Sequence, residues 1–205
     1  SLALSQHTFA YVSDAGMPLI CDPGFEIVHL CQRNAFSYTV IPGPSAFLTA
    51  LVASGLAVDT FMFFGFFPKK PKEQNTLLNF LKNFPHTGIF LEAPHRIKKT
   101  LQLLEQDLPN RLCCVARELT KKFETLYHGT PQKILTAENF LEKGEFVLLL
   151  EGAPAPNMSL QKIQIQKAVV ELKAKFSKKD MTFIFQKIFP GVSRQDIYRI
   201  LHAEE

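Results

Sequence analysis

The stretch Ser13-Asp14-Ala15-Gly16-Met17-Pro18-Leu19-Ile20-Cys21-Asp22-Pro23-Gly24 does most to limit what this chain can fold into. His7–Val12 ahead of it has the pattern of a short strand, and Phe25–Arg33 after it has the spacing of a helix. A chain that leaves a strand through small residues and enters a helix is building an open α/β sheet, and such sheets hold ligands at the carboxyl ends of their strands. A plain strand-to-helix turn needs only a few residues, fewer than the twelve present. Ala15 and Gly16 would let a ligand lie against the backbone, and Asp14 can accept hydrogen bonds from ribose hydroxyls or an ammonium group. Asp22-Pro23 reads as an N-cap followed by proline at the first helical position.

The pattern recurs. Phe36–Ile41 reads as a second strand, followed by Pro42-Gly43-Pro44-Ser45-Ala46 and a helix through Ser54. That helix sets Phe47, Leu48, Leu51 and Val52 on one face and has Gly55 as its C-cap. Taken alone, Pro-Gly-Pro is a rigid turn. Two such loops side by side make a floor for a ligand. Leu56–Thr60 reads as a hinge. Strands are then predicted at Phe61–Phe67, Gly88–Leu91, Leu112–Ala116, Phe123–His128 and Phe146–Leu150, with helices at Glu73–Phe84, Ile97–Asp107 and Pro131–Leu141. One adjacent strand pair breaks the alternation, so the sheet should be mixed.

After a linker at Ala155–Ser159, helical patterns occupy Leu160–Phe176, Lys179–Ile188 and Ser193–His202, with Pro190-Gly191 as a turn. Ser193 with Asp196 three residues on is an acidic variant of a capping box. This tail is either a helix-turn-helix-like nucleic-acid module or a helical clasp. The expected organisation is α/β: a partial domain over residues 1–57, a second α/β domain over 58–155 and a helical extension over 156–205. The chain opens on part of a helix and one strand, as if inside a domain.

Charge is unevenly placed. Residues 157–205 hold nine Lys and Arg against five Asp and Glu, so the whole formal charge of +4 resides there. A basic tail on a neutral body suits a polyanionic partner, although a solvated helical surface has the same composition. Cys21, Cys31, Cys113 and Cys114 lack metal-ligand spacing and read as buried free thiols of a reducing compartment, which argues against zinc. No apolar run is long enough to span a membrane, and Ser1–Gln6 is no signal peptide, so a cytoplasmic location is expected.

Four segments in order carry a family resemblance: Ser13–Gly24, Ile41–Ala46, Glu92-Ala93-Pro94-His95-Arg96 and Ala116–Lys121. They resemble the signature segments of the bacterial 16S rRNA cytidine 2′-O-ribose methyltransferases, in the tetrapyrrole (corrin/porphyrin) methylase superfamily. The likeness runs from about Val12 to Pro154, and the tail resembles the helical extension of some members. It implies two domains of tetrapyrrole-methylase type, the first incomplete here, with S-adenosylmethionine in the cleft between them, and a homodimer. Asp14, Ala15, Gly16 and Met17 would line one side of the cofactor. Ser45 and Ala46 would meet its methionine or ribose part. Phe90 and Leu91 would flank the adenine, and Ala116, Gly152 and Ala153 would close the pocket.

Methyl transfer to a hydroxyl is an in-line displacement, so holding the reacting atoms in line is the protein's main task. A base for the hydroxyl proton would come from Glu92, His95 or Glu118, all near strand ends. For His95 the alternative is a helix-start residue bonded to backbone, and for Glu118 an ion pair with Arg117 or Lys121. The RNA, expected to be 16S rRNA in the small ribosomal subunit, would be held by Lys69, Lys70, Lys72, Arg96, Lys98, Lys99, Arg117, Lys121 and Lys122, which recur on successive loops and helix starts.

Overall fold

The computed structural model describes residues 7–154, 158–173, 175–189 and 191–202. Ser1–Gln6, the first part of the expected linker (residues 155–157) and Pro190 of the expected turn lie outside them. The chain divides into two compact units, Ser1–Ala153 and Pro154–Glu205.

The first unit is built on five strands: β1 (Phe61–Phe66), β2 (Thr87–Glu92), β3 (Cys113–Arg117), β4 (Thr125–Gly129) and β5 (Phe146–Leu150). They lie in the order β1-β2-β5-β3-β4. β1 runs parallel to β2 and every other pair is antiparallel, the mixed sheet the alternation implies. β5 is the continuous apolar run Phe-Val-Leu-Leu-Leu and is buried throughout, because it sits in the centre with both faces covered. Its register sets Glu92 and Arg117 on either side of Phe146, so the loops after β2 and β3 leave the same end of the sheet.

Helices α3 (Pro71–Leu81), α4 (Ile97–Asp107) and the short α5 (Pro131–Leu135) belong to the core on one face. α4 follows from Ile97, Thr100, Leu101 and Leu104, an inner stripe at helical spacing and buried along its length. Leu78, Leu81, Ile97, Leu101, Leu104 and Ile134 meet Phe90, Cys113, Val115, Leu148 and Leu150 there. A phenylalanine group fills the β1 side of this core. Phe64 stacks on Phe90 at 4.8 Å, and Phe67 and Phe84 meet that pair edge-on. Helix α5 stops well short of the expected Leu141. The Tyr127 hydroxyl donates to the Asn139 carbonyl (2.8 Å) and Phe140 packs edge-on against the Tyr127 ring, so tertiary contacts turn the chain off the helical path.

The opposite face is covered by α2 (Ala46–Ala53). Ala50 and Leu51, with Phe47 beside them, meet Ile89, Leu91, Cys114, Ala116, Val147 and Leu149. Gly55 does follow α2 in the left-handed conformation expected after a helix end.

The segments His7–Val12 and Phe36–Ile41 differ from expectation: neither forms a strand. A strand is defined by the neighbour it hydrogen-bonds, and among the described residues these two have none. Their apolar side chains stay in solvent, Val12 at 78% and Ile41 at 81% exposure. Helix α1 (Phe25–Arg33) forms as predicted, but its N-cap is Gly24 rather than Asp22. The Tyr11 hydroxyl donates to the Pro23 carbonyl (2.7 Å). Its ring and Leu19 then occupy the space where a Cβ on residue 24 would stand, and Gly24 takes a φ of 118°.

The second unit has α6 (Met158–Leu172), α7 (Lys178–Ile188) and α8 (Arg194–His202) around Ile165, Val169, Met181, Phe185, Val192, Ile197, Ile200 and Leu201. Ser177 caps α7, accepting from Asp180 N at 3.2 Å. Ser193 accepts from Asp196 N at 3.1 Å, and its hydroxyl donates to the Asp196 carboxylate at 2.8 Å. The Ser193 half of the expected capping box is thus in place, while the Asp196 carboxylate takes the Ser193 hydroxyl rather than its backbone N–H.

Candidate cofactor site

The two small-residue loops lie against each other. Gly43 N donates to the Met17 Sδ at 3.0 Å, and a Cβ at Gly16 would stand 3.5 Å from the Pro44 carbonyl oxygen. Gly16, Leu19, Cys21 and Gly24 all take positive φ, so the first loop folds back on itself. Two of the four are not glycine, a concentration of strain of the kind that gathers at ligand sites. The Ser13 hydroxyl donates to the Gly16 carbonyl at 3.0 Å, and the Cys21 sulfur sits 3.5 Å from where Gly65 of β1 would carry a Cβ. Asp14, Ala15 and Gly16 remain exposed. Ser45 caps α2, its Oγ accepting from Leu48 N at 3.5 Å, which starts that helix beside the first loop.

Ala46 leads α2 toward the face that holds Leu91 and Ala116. Asp14, Ala15, Gly16, Met17, Ser45 and Ala46 therefore belong to one pair of loops, and Leu91 and Ala116 to the sheet face under the helix that follows. Phe90 does not join them. Its ring is fully buried on the opposite face, stacked on Phe64. Strand alternation makes this unavoidable, since Phe90 and Leu91 are neighbours in β2. Gly152 and Ala153 follow the far end of β5, where Ala153 N donates to the Phe84 carbonyl and any Cβ at Gly152 would strike the Pro85 backbone. Their glycine and alanine serve close packing at the end of the sheet away from Glu92 and Arg117.

The charged candidates separate in the same way. Both Glu92 oxygens are engaged: Oε1 accepts from Ala93 N (2.8 Å) and pairs with Arg96 (3.4 Å), and Oε2 accepts from the Thr100 hydroxyl (2.5 Å). With its side chain inaccessible, Glu92 holds the start of α4 instead of meeting a substrate proton. Arg96 donates to the Phe67 and Pro68 carbonyls (2.9 and 2.8 Å), so it fastens β1 to β2 rather than facing phosphates. Arg117 is buried and donates to the Lys143 and Phe123 carbonyls (2.5 and 3.1 Å), strapping two loops together. By residue type these two arginines look like the surface lysines, and Thr100 has no sequence signal that marks it as the partner of Glu92.

Glu118 takes a φ of 50° and accepts from Glu145 N (2.8 Å) and from Lys121 (3.1 Å). These bonds hold its carboxyl below the ordinary range and raise the Lys121 ammonium, which also meets Glu145 at 3.0 Å. This is the ion-pair alternative, with Lys121 as the partner. His95 is exposed at the same end of the sheet. Lys69, Lys70, Lys72, Lys98, Lys99 and Lys122 are exposed; Lys70 pairs with Glu73, Lys98 with Glu142, and Lys122 lies over the Phe123 ring. A shallow groove of about 680 Å³ between β1 and α3, lined by Phe64, Leu77 and Phe80, contains none of the candidate cofactor residues.

The thiols are free. Burial pushes Cys113 up to about 12 and Cys114 up to about 11, which keeps both protonated. Cys21, expected inside, is exposed. Among the described residues no three His, Cys, Asp or Glu side chains form a metal site, and no helix is long and apolar enough to cross a membrane.

Residues 1–135 match the profile of the family Tetrapyrrole (Corrin/Porphyrin) Methylases. The chain belongs to this family. A Halalkalibacterium halodurans protein named ribosomal RNA small subunit methyltransferase I is 37% identical over 205 residues, covering 96% of this chain and 70% of that one. Proteins of the same name from Bacillus subtilis and Vibrio cholerae are 43% and 42% identical; each match covers 73% of this chain, which spans 51% and 53% of their lengths. Among solved structures, a cobalt precorrin-4 methyltransferase aligns with a TM-score of 0.49 at 17% identity, over 66% of this chain and 61% of that one. Tetrapyrrole methylases use S-adenosylmethionine. The paired loops fit such a ligand, offering an exposed carboxylate at Asp14 and open backbone at Ala15 and Gly16.

Proposed function

We propose that this chain carries the cofactor loops of an S-adenosylmethionine-dependent methyltransferase that modifies the ribose 2′-oxygen of a cytidine in 16S rRNA, within the small ribosomal subunit. The observation that carries the reading is the contact between the two loops through Met17 Sδ and Gly43 N. The name shared by the relatives at 37–43% identity supports the RNA substrate. A cytoplasmic location and assembly as a homodimer belong to the same reading, and the free thiols agree with a reducing compartment.

When bound, the cofactor supplies an electrophilic methyl group on a sulfonium. Asp14 would accept from its ribose hydroxyls or ammonium, the Ala15–Gly16 backbone would lie against it, and Met17 keeps that loop in register with Pro42–Ser45. Leu91 would supply apolar wall, while Ala116, fully buried beneath α2, packs behind it. Restricting motion in this way is worth roughly 7–11 kcal/mol in a displacement that needs alignment. His95 would be the group to receive the hydroxyl proton, being exposed at the sheet end shared by Glu92 and Arg117. Lys69, Lys70, Lys98 and Lys122 would meet phosphates, while Lys121 is held between Glu118 and Glu145.

Calorimetric titration of the chain with S-adenosylmethionine, beside Asp14→Ala, tests the reading. Micromolar binding that the substitution abolishes is expected, followed by methyl transfer to small ribosomal subunits. No binding by the parent chain, or transfer to a corrin or porphyrin precursor in place of RNA, overturns it.

A further inference from the structure

The three-helix unit presents a surface that the cofactor site leaves unused. Its described residues carry nine Lys and Arg against Glu171, Asp180 and Asp196. Two of those three acids are already engaged: Asp180 with the Ser177 cap, and Asp196 with Ser193, with Lys162 at 3.2 Å and, more loosely, with the largely exposed Arg199 at 3.9 Å. Helix α8 buries Ile197, Ile200 and Leu201 and turns Arg194, Gln195, Tyr198, Arg199 and His202 to solvent. Those positions, spaced by four along two adjoining rows, form one continuous stripe. The Tyr198 and His202 rings pack at a tilt, 4.2 Å apart, and His202 Nδ1 meets the Lys178 ammonium at 3.3 Å, which brings the start of α7 to the end of the stripe.

We propose that α8 is a nucleic-acid-contacting helix that grips the phosphates of structured RNA. Guanidinium groups match phosphate oxygens in a two-pronged geometry, a glutamine can read a base edge or a 2′-hydroxyl, and a tyrosine face supports stacking. In a helix-turn-helix the second helix of the pair docks while the preceding one supports it, and the order of α7, a short connection and α8 allows the same use. Helices α7 and α8 are joined by residues 189–193 with a glycine among them. A membrane-seeking helix would instead set large aliphatic or Phe and Trp side chains between its cations, and this stripe has none. The choice of RNA over DNA rests on the proposed function; the phosphate grip does not.

The test uses the full chain. Binding to a fluorescent hairpin fragment of 16S rRNA is measured over a range of salt for the parent, Arg194→Ala with Arg199→Ala, the same pair changed to Lys, and Tyr198→Ala. Circular dichroism checks the helices, and S-adenosylmethionine binding is titrated in parallel. Each lost phosphate contact removes about 0.7–0.9 from the slope of log K against log salt, so the double alanine variant should flatten it by about 1.5. The lysine pair should keep most of the slope. Tyr198→Ala should weaken binding at unchanged slope. An unchanged slope in a folded double alanine variant overturns the proposal, as does tighter binding to the matching DNA duplex or to anionic vesicles. A chain that fails to bind S-adenosylmethionine but keeps the arginine-dependent slope sinks the proposed function and supports this one.

Discussion

Residues 61–150 and residues 7–53 have the same kind of sequence and different fates. In both, apolar runs end in small or charged loops that feed helices. In the first region every expected strand pairs, and β5 is sealed on both faces. In the second the helices form, while His7–Val12 and Phe36–Ile41 remain unpaired with their apolar side chains in water. A helix satisfies its own backbone, so α1 and α2 need only their caps and one apolar stripe. A strand's backbone is satisfied by another chain segment, and its pattern states only a readiness to pair.

The sharpest test of this contrast is truncation on either side of it. Phe90→Ala removes a fully buried ring from the phenylalanine group and should cost about 3–5 kcal/mol in urea unfolding. Val40→Ala, in the exposed segment, should stay within about 0.5 kcal/mol. Comparable losses at the two sites would show that residues 36–41 are packed in solution.

Arg117→Ala comes next. It strips two carbonyls of a charged donor and should cost about 2–3 kcal/mol of stability while leaving the salt dependence of RNA binding alone. A flattened salt slope without destabilisation would restore Arg117 to the RNA surface. Ser45→Ala should cost about 1 kcal/mol through loss of the α2 cap, and it should weaken S-adenosylmethionine binding more than stability if that cap aligns the loop.

The smallest effect is expected at Glu118. Its carboxyl is held below the ordinary value of 4.5 by the Glu145 N–H and Lys121. The stabilisation is therefore present above that value, fades as pH falls through it, and is gone below the native pKa. Glu118→Gln should lower the urea midpoint slightly near neutrality, where the carboxylate's contribution is present, and meet the parent curve below the native pKa, so that the acid limb is flattened.

Much of the sheet was legible because its residues announce their neighbours by type. The run Phe146–Leu150 can only be central, and Ile97–Asp107 shows its buried stripe directly. The paired loops were legible as well, since glycine, alanine and proline cluster where backbones approach. What escaped was commitment. Arg96 and Lys98 look equally basic in the sequence, yet one is spent on the Phe67 and Pro68 carbonyls and the other reaches solvent. Glu92 looked free for proton transfer until Thr100, eight residues on, was seen to close on it. Asp22-Pro23 read as a helix start because local chemistry allows it, and Tyr11, twelve residues before Pro23, decided otherwise.

The place of β5 also sets the order of assembly. β2 and β3 do not touch each other across the sheet; each pairs with β5, and β5 is the last of the five strands to be synthesised. A growing chain can form the β1–β2 pair and the β3–β4 hairpin separately, but Gly88 and Cys113 both wait for Leu150. Joining them closes long loops in one step, the kind of non-local pairing that slows folding. Until then Ile89, Leu91, Cys114 and Ala116 lie along open edges that a chaperone, or a second nascent chain, could cover.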